Sequence, residues 1–502
     1  MEPDYRLGGC RVSLSSARKA ISAIAGVSAF ALFLTACGSS TPPAATSSST
    51  ATTTSGTTTS ATTSASTSSS GTATSTSSSG TASPVADDDK DWCDKVKAKY
   101  GDLTGKSVSI FGSITSPESD LYNQAWKLFT DCTGAAVVYE GTKSFEADVK
   151  TRWSSGNPPD MALFPQPGLL QQTVQDSGLI QPLDDMATGN IDKYYGDAWK
   201  GYGTVNGVLY GAPNTANFKS LIWYSPKNFK THGYTVPKTY DDLIALSDKI
   251  AATGSKPWCV GVSSGDATGW PLTDWLEDYV LRTAGPDVYD QWVSHDVKFS
   301  DPKIATALAD VAKIVKNEKY VNGGVGDVKT IAGTTFQNAG LPILQDQCTF
   351  HRQANFYEAN WPAGTKVGPD GDVDAFYFPG IDPQFGNPVL GGGEFFAAFA
   401  DRPEIKAFQY FATTASYTNA RAKLGGVLFA NKAMDAANVP SPVLQTALKV
   451  LQDPKTVYRF DASDLMPGAV GSDAEFKQFT AWITGQDDAT TLANIDAAWP
   501  TS

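Results

Sequence analysis

The segment of the 502-residue chain that most resembles reactive machinery is Gly261-Val262-Ser263-Ser264-Gly265, which matches the G-x-S-x-G pattern that presents a nucleophilic serine on a strand-to-helix turn. It follows an apolar run from Pro257 to Val262, and His295 and His351 lie downstream, so a secreted cell-envelope hydrolase acting on esters is one reading. The residues after it, Asp266-Ala267-Thr268-Gly269-Trp270-Pro271, break the immediate helix that such an elbow requires, which argues against Ser263 as a nucleophile. A glycosidase needs only two carboxylates, and an acidic chain offers many. With His232, His295 and His351 as the whole histidine complement, a multi-histidine metal site has little to draw on. No C-x-x-C pair supports redox or zinc-ribbon chemistry. No phosphate-cradling glycine run precedes a helix, so no nucleotide cofactor and no ATP hydrolysis by this chain are expected. The balance of 39 Lys+Arg against 52 Asp+Glu gives a net charge of −13, which repels a phosphate backbone and excludes nucleic acid as the expected partner.

The elements that must position such residues begin near Trp92, where short β-branched runs alternate with amphipathic stretches in the manner of an α/β fold. Strands are predicted at 107–111, 136–139 and 161–164, with helices over 118–130 and 145–153 between them. This β-α-β-α-β order calls for a parallel sheet with right-handed crossovers. Ligands of open parallel sheets bind beyond the carboxyl ends of the strands, which puts Ser113 to Glu118 and Pro165 to Gly168 on one rim. Farther on, Ser220-Leu221-Ile222-Trp223-Tyr224 reads as a strand crossing into a second lobe, and a second crossing is expected between Phe376 and Gly393. Two lobes joined by crossing strands imply a cleft between them.

Residues 1–36 form a separate module, with Arg6, Arg11, Arg18 and Lys19 ahead of an apolar run from Ala20 to Ala36, and read as a signal peptide. The run is about 17 residues, at the short limit for spanning a bilayer. It ends in Leu34-Thr35-Ala36-Cys37-Gly38, which resembles a bacterial lipobox, so Cys37 is the expected lipid attachment site. Losing four positive and two negative charges with this segment takes the net charge from −13 to about −15. From Gly38 to Ala86 the chain is Ser, Thr, Ala, Gly and Pro, apart from Val85, and carries no charge, so residues 37–91 read as a disordered tether. A flexible coil of roughly 50 residues has an end-to-end distance of about 40 Å. The protein is thus expected outside the cell, lipid-anchored on the outer face of the cytoplasmic membrane. Cys93, Cys132, Cys259 and Cys348 remain, an even number that suggests two disulfides with three possible pairings.

Along the folded region, Gly156-Asn157-Pro158-Pro159-Asp160, Leu209-Tyr210-Gly211-Ala212-Pro213, Lys219 to Tyr224, Val236-Pro237-Lys238-Thr239-Tyr240-Asp241-Asp242-Leu243 and Leu465-Met466-Pro467-Gly468 occur in order. Together they resemble the extracellular solute-binding lipoproteins of carbohydrate ABC transporters over roughly residues 100 to 500. The alpha-glucoside-binding branch is nearest, through Gly269-Trp270-Pro271-Leu272-Thr273-Asp274-Trp275 and Val389-Leu390-Gly391-Gly392-Gly393. The resemblance implies a two-lobed, maltose-binding-protein-like type II periplasmic-binding-protein fold with crossing hinge strands. Its first lobe would hold residues 92–218 and 390–435, and its second 219–389 and 436–502. It further implies closure on a sugar, an alpha-glucoside or related oligosaccharide, and delivery to permease subunits driven by their ATPase, with no catalysis. In that branch Pro257-Trp258-Cys259 and Cys348-Thr349-Phe350-His351 are similar to paired strands, which favours Cys259 with Cys348. Cys93 with Cys132 then rests on parity and shared lobe. A wall-tethered adhesion protein would account for lipid and linker but not for a cleft.

A sugar site needs an aromatic face for the C–H patch of the ring and paired donors and acceptors for its hydroxyls. Trp270, between Gly269 and Pro271 at a helix start, is the first stacking candidate, and Trp361, beside Asn360 and Pro362, the second. Trp223 and Trp275 read as core. Polar candidates are Ser116 and Glu118 on the rim, Gln166 between two prolines, Asn217 and Asp274. Gly391 and Gly392 would allow close backbone approach to a ligand. Asp461 and Asp464 read as a helix cap or a surface pair.

Overall fold

The computed structural model of the protein describes residues 89–322 and 326–501. The signal peptide, Cys37 and the tether up to residue 88 lie outside the described residues. Folded packing starts slightly earlier than the tether's expected end at 91, because Asp89 is buried and its carboxylate accepts from the Ala415 N–H at 3.3 Å. Among the described residues no helix is long and apolar enough to cross a membrane.

In chain order the strands are β1 Ser107–Gly112, β2 Ala136–Gly141, β3 Met161–Phe164, β4 Thr204–Val205, β5 Val208–Leu209, β6 Ala212–Pro213, β7 Thr215–Phe218, β8 Leu221–Tyr224, β9 Lys256–Trp258, β10 Cys348–Arg352, β11 Asp374–Tyr377, β12 Asn387–Gly392, β13 Phe395–Ala398, β14 Leu428–Phe429 and β15 Thr456–Phe460. β1 pairs in parallel with β2 and β3, the arrangement that the β-α-β-α-β pattern requires. The first sheet runs β2-β1-β3-β13-β6, with β13 returning antiparallel to β3 from late in the chain. The second runs β11-β8-β10-β9. Between them β14-β7-β12-β15 carries the chain from one to the other.

The first crossing therefore lies one strand earlier than expected. All four residues of β8 are apolar and buried, so it needs cover on both faces and sits inside the second sheet between β10 and β11. β7 crosses instead, and its Thr215 and Asn217 suit a strand that runs between lobes. The second crossing is β12, within the span expected for it.

Each sheet has its own core. Trp126, Phe129, Phe408 and Phe411 interlock on the first, and Trp258, Trp275, Tyr279 and Phe350 on the second. Disulfides join Cys93 to Cys132, between the helices Trp92–Tyr100 and Glu118–Thr133, and Cys259 to Cys348, where β9 runs parallel to β10.

The centre of the second lobe is the helix Trp270–Thr283, buried on every side from Pro271 to Arg282. Asp274, Asp278 and Arg282 recur every fourth residue and so share one face. Arg282 donates to the Phe378, Pro379 and Pro388 carbonyls at 2.8, 3.1 and 3.0 Å and pairs with Asp278. Arg352 of β10 reaches Asp278 at 2.9 Å through Nε and Asp274 at 3.3 Å through Nη1. Ser220 Oγ donates to Asp278 at 2.6 Å while accepting from the Leu390 N–H of β12 at 2.9 Å. The ladder thus bonds both chain crossings to one helix.

Breaking such a network from one side leaves buried charges unpaired. Asp278→Ala is expected to cost about 3–5 kcal/mol. Asp473→Ala, which removes an exposed pair with Lys477, should change stability by less than about 1 kcal/mol. Urea unfolding midpoints of the two variants check this, and equal midpoints would refute the assignment of the ladder as a structural centre.

Candidate functional site

Between the two sheets lies a cleft open at its mouth, with about 950 Å³ of empty space when the solvent there is counted. Its first wall is the carboxyl-end rim of the parallel strands: Ser113 to Thr115 and Glu118 beyond β1, Lys143 and Glu146 beyond β2, Pro165 and Gln166 beyond β3. The crossing segments contribute Asn217, Lys219, Gly393 and Glu394. The second wall holds Trp270, Phe336, Phe356 and the Asp461–Asp464 turn.

Trp270 opens its helix at a tight spot. Gly269 has φ +114°, and a Cβ there would stand 2.2 Å from the Phe476 carbonyl oxygen, so only glycine fits before the tryptophan. The indole leans edge-on against Phe336 at 5.0 Å and beside Phe356 at 6.1 Å and stays partly exposed to the cavity. These rings form an apolar floor.

Facing it are polar atoms without partners. Gln166 is held at the N-cap of the helix Pro167–Ser177 and donates through Nε2 to Glu146 Oε1 at 2.8 Å. That leaves Gln166 Oε1 and Glu146 Oε2 buried and unbonded. Asn217 Nδ2 donates at 3.4 Å to Glu394 Oε1, and Glu394 Oε2 is likewise unbonded. Burial pushes the Glu394 carboxyl up to about 7, partly offset by Asn217. Burial and the Glu394 charge push Glu118 up to about 8, against the pull of Arg421. Burial raises Glu146 as well, despite its bond from Gln166. Acceptors dominate this half of the cavity.

The other half is neutralised from within. Lys219 Nζ bonds Asp274 at 3.0 Å and also Asp461, stands 3.9 Å from Asp464, and lies 5.7 Å from the Trp270 ring centre. Burial works against this ammonium, but its carboxylate neighbours outweigh that and keep it charged, while Lys219 holds Asp461 below the usual carboxylate range against its own burial. Asp274, Glu277 and Asp461 bring oxygens within 4.8 Å of one another, a spacing a cation could use. Lys219 and Arg352 already bond these aspartates, and the Ser463 N–H donates to Glu277 at 3.0 Å, so the chain supplies the positive charge itself.

Of the residues singled out in the sequence, Glu118, Gln166, Asn217 and Trp270 line the cavity. Ser116 does not: it is exposed and bonds Asp120 at 2.8 Å. Asp274 turns away into the ion-pair ladder. Trp361 packs into the core against Tyr357 at 5.1 Å and Trp223 at 5.8 Å, while its neighbour Asn360 lines the cavity. Gly391 and Gly392 serve strand packing, since a Cβ on them would stand 2.0 Å from Tyr458 Oη and 2.9 Å from Lys219 Cε. Asp461 does cap a helix, accepting from the Asp464 N–H at 3.0 Å, but both are buried at the cavity rather than on the surface. Glu146, Lys219 and Glu394 were missed. The strand-end rule that marked the loops after β1 and β3 applies equally after β2, and would have found Lys143 and Glu146. The Ser263 segment bonds backbone to backbone with Thr334 and Phe336. His351 Nδ1 faces the Cys259 carbonyl at 3.0 Å, His295 Asp496 at 3.0 Å and His232 Asp346 at 2.6 Å, so no serine–imidazole pair forms among the described residues.

The profile of the family described as bacterial extracellular solute-binding protein matches residues 113–417. The chain is 38% identical over 402 residues to the osmoprotective compounds-binding protein GgtB of Synechocystis sp., covering 80% of this chain and 94% of that one. It is 35% identical over 428 residues to the alpha-glucosides-binding periplasmic protein AglE of Rhizobium meliloti, covering 83% and 92%. In fold it is similar to the bacterial solute receptor AcbH, with TM-score 0.65 at 20% identity over 78% of this chain and 97% of that one. AcbH is described as exclusively preferring β-D-galactopyranose.

The raised carboxyls give the ligand-free protein a signed pH dependence. Glu118 and Glu394 hold protons in the folded state that the unfolded chain releases above about pH 4.5. Their contribution is full below that pH and is lost as pH rises through about 7 to 8. Urea midpoints should therefore fall between about pH 5.5 and about pH 8.5, and a Glu118→Gln, Glu394→Gln double variant should show a shallower fall. Parallel profiles would contradict the burial of these two carboxyls.

Proposed function

The chain belongs to the bacterial extracellular solute-binding protein family, and from that premise we propose that it captures an alpha-glucoside or related oligosaccharide outside the cell and delivers it to the permease of an ABC transporter. The observation that carries the ligand class is the meeting of three buried unbonded acceptors, Glu146 Oε2, Gln166 Oε1 and Glu394 Oε2, with the part-exposed Trp270 ring in one cavity. Sugar hydroxyls donate to such acceptors and the ring's C–H face covers an indole, so one ligand satisfies both. The relative named for binding alpha-glucosides points the same way.

The lobes would divide as residues 92–218 with 390–435 and 219–389 with 436–502, a division supported by the two sheets and their separate cores. Closure brings the strand-end rim onto the Trp270 wall, and Lys143 Nζ meets Gln337 Oε1 at 3.4 Å across the mouth. Cys37, lipidated, would hold the protein on the outer face of the cytoplasmic membrane, with the Ser/Thr-rich segment as its tether to the permease and ATPase. The protein acts without catalysis on this reading, in keeping with relatives that are named as binding proteins.

A thermal-shift panel of sugars on the purified protein, with the recovered sugar analysed, tests this. A ligand at a hundred times its Kd should add about 2.7 kcal/mol of stability and return intact. Cleaved sugar would establish a glycosidase instead. Trp270→Ala should weaken binding by more than about 1 kcal/mol, roughly fivefold, measured by calorimetry. Trp361→Phe, in the core, should lower the melting temperature and leave affinity within about twofold.

A further inference from the structure

Carboxyl groups from the two walls meet in this cleft without a cation of their own. Glu146 reaches it from the first wall, where Gln166 Nε2 donates to its Oε1 at 2.8 Å and its Oε2 is buried and unbonded. Asp464 reaches it from the second wall, and the ammonium beside it, Lys219 at 3.9 Å, already bonds Asp274 at 3.0 Å and also Asp461. Lys143, the other cation of the cavity, is held at the mouth by Gln337 at 3.4 Å. The charged groups facing Glu146 are Asp148 on its own helix and, from the second wall, Asp266 and Asp464. Those facing Asp464 are Asp461, Asp274, Lys219 and Glu146, together with Glu475, whose two carboxyl oxygens are buried and unbonded.

Carboxylates that share a desolvated site cannot all stay ionised. Burial raises Glu146 against its bond from Gln166, and Asp266 and Asp148 add to the rise. Burial, then Asp461, raise Asp464 well above the usual carboxyl range against the pull of Lys219, and Asp274 and Glu146 raise it further. Glu146 and Asp464 stand on different lobes, so they face each other only while the walls are together. When the walls part, water solvates both groups and the like charge across the cleft recedes, so both move back toward the ordinary carboxyl value of about 4. A sugar hydroxyl that donates to Glu146 Oε2 brings no positive charge, so the burial that favours a proton persists in a filled cleft.

We propose that closing the cleft takes up a proton from solvent, held by the Glu146 and Asp464 carboxyls that meet across it, so that capture is favoured at acid pH and release at alkaline pH. This rests on the two-lobed, sugar-binding reading and adds a control to it. Because the closed form holds a proton that the open form gives up, its advantage is full at low pH and is lost as pH rises through the closed-state range of the pair.

Titration calorimetry of the full chain with methyl α-glucoside, maltose and trehalose, at about pH 6 and about pH 8.5 and in buffers of unlike ionisation enthalpy, tests this. For a sugar that binds, affinity should fall at least about fivefold from the lower pH to the higher, with net uptake of up to about one proton on binding near neutral pH. Asp464→Asn and Glu146→Gln should each cut that fall to about twofold or less and reduce the proton uptake, whatever they do to affinity at the lower pH. Should a variant fail to fold, the uptake by the unaltered protein decides. A sugar bound equally well or better at the higher pH, or without proton uptake, would overturn the coupling and leave sugar binding intact. No sugar bound at either pH would overturn the sugar reading, and amide hydrogen exchange of the ligand-free chain at the mouth segments 142–146 and 263–268, corrected for the intrinsic effect of pH, then decides the coupling. Greater protection of both segments at the lower pH upholds it, and equal protection overturns it.

Discussion

The shape of this protein depends on a charge ladder that water does not reach. Asp274, Asp278 and Arg282 show no exposed surface, and their partners come from two other segments, Lys219 and Ser220 from the link between β7 and β8 and Arg352 from β10. Ion pairs this deep add little net stability, because desolvation consumes most of the Coulomb gain. What they supply is a demand for geometry: every member must keep its partner or leave a buried charge alone. Since Ser220 follows β7 and Leu390 lies in β12, that demand falls on the two points where the chain changes lobes. Lys219 then passes the constraint into the cleft, with Asp274 on one side and Asp461 and the Trp270 ring on the other. Lys219 therefore ties the ligand wall to the buried ladder at the point where the chain changes lobes.

Much of the architecture was legible because periodicity and strand order are local signals with global consequences. The first three strands and their helices stand within a few residues of where alternation places them, and the strand-end rule put Glu118 and Gln166 at the cavity. The site was legible only as far as backbone position fixes side-chain direction. Trp361 and Asn360 are neighbours in one loop, yet the indole turns into the core and the amide into the cavity. Composition treats them alike. Asp274 sits one turn from Trp270 and looked like a ligand carboxylate, but its four-residue spacing to Asp278 and on to Arg282 belongs to a buried stripe that only its partners in β10 and after β7 explain. The three glycines after Leu390 differ likewise: two are needed for strand packing against Tyr458 and Lys219, and Gly393 is the one that reaches the cleft.

The two sides of the cleft are held together by unlike forces. At the back, a Cβ on Gly168 would stand 1.8 Å from the Met466 carbonyl oxygen and 3.1 Å from that of Leu465, so backbone lies directly on backbone between the helix Pro167–Ser177 and the Leu465–Gly468 segment. Contacts this close tolerate rotation poorly without a change of packing partners. At the mouth, a 3.4 Å bond from Lys143 to Gln337 and the approach of Gly265 to the Lys143 carbonyl, 2.8 Å from where its Cβ would be, join the walls. A long polar bond between part-buried side chains contributes about 1 kcal/mol at most. Between them stand acceptors that water can satisfy when the walls part and that the protein leaves unbonded when they meet. The free energy that favours the closed arrangement must therefore come in large part from what fills the space between the walls, and a clamp built this way closes in proportion to how well its contents answer Glu146, Gln166 and Glu394.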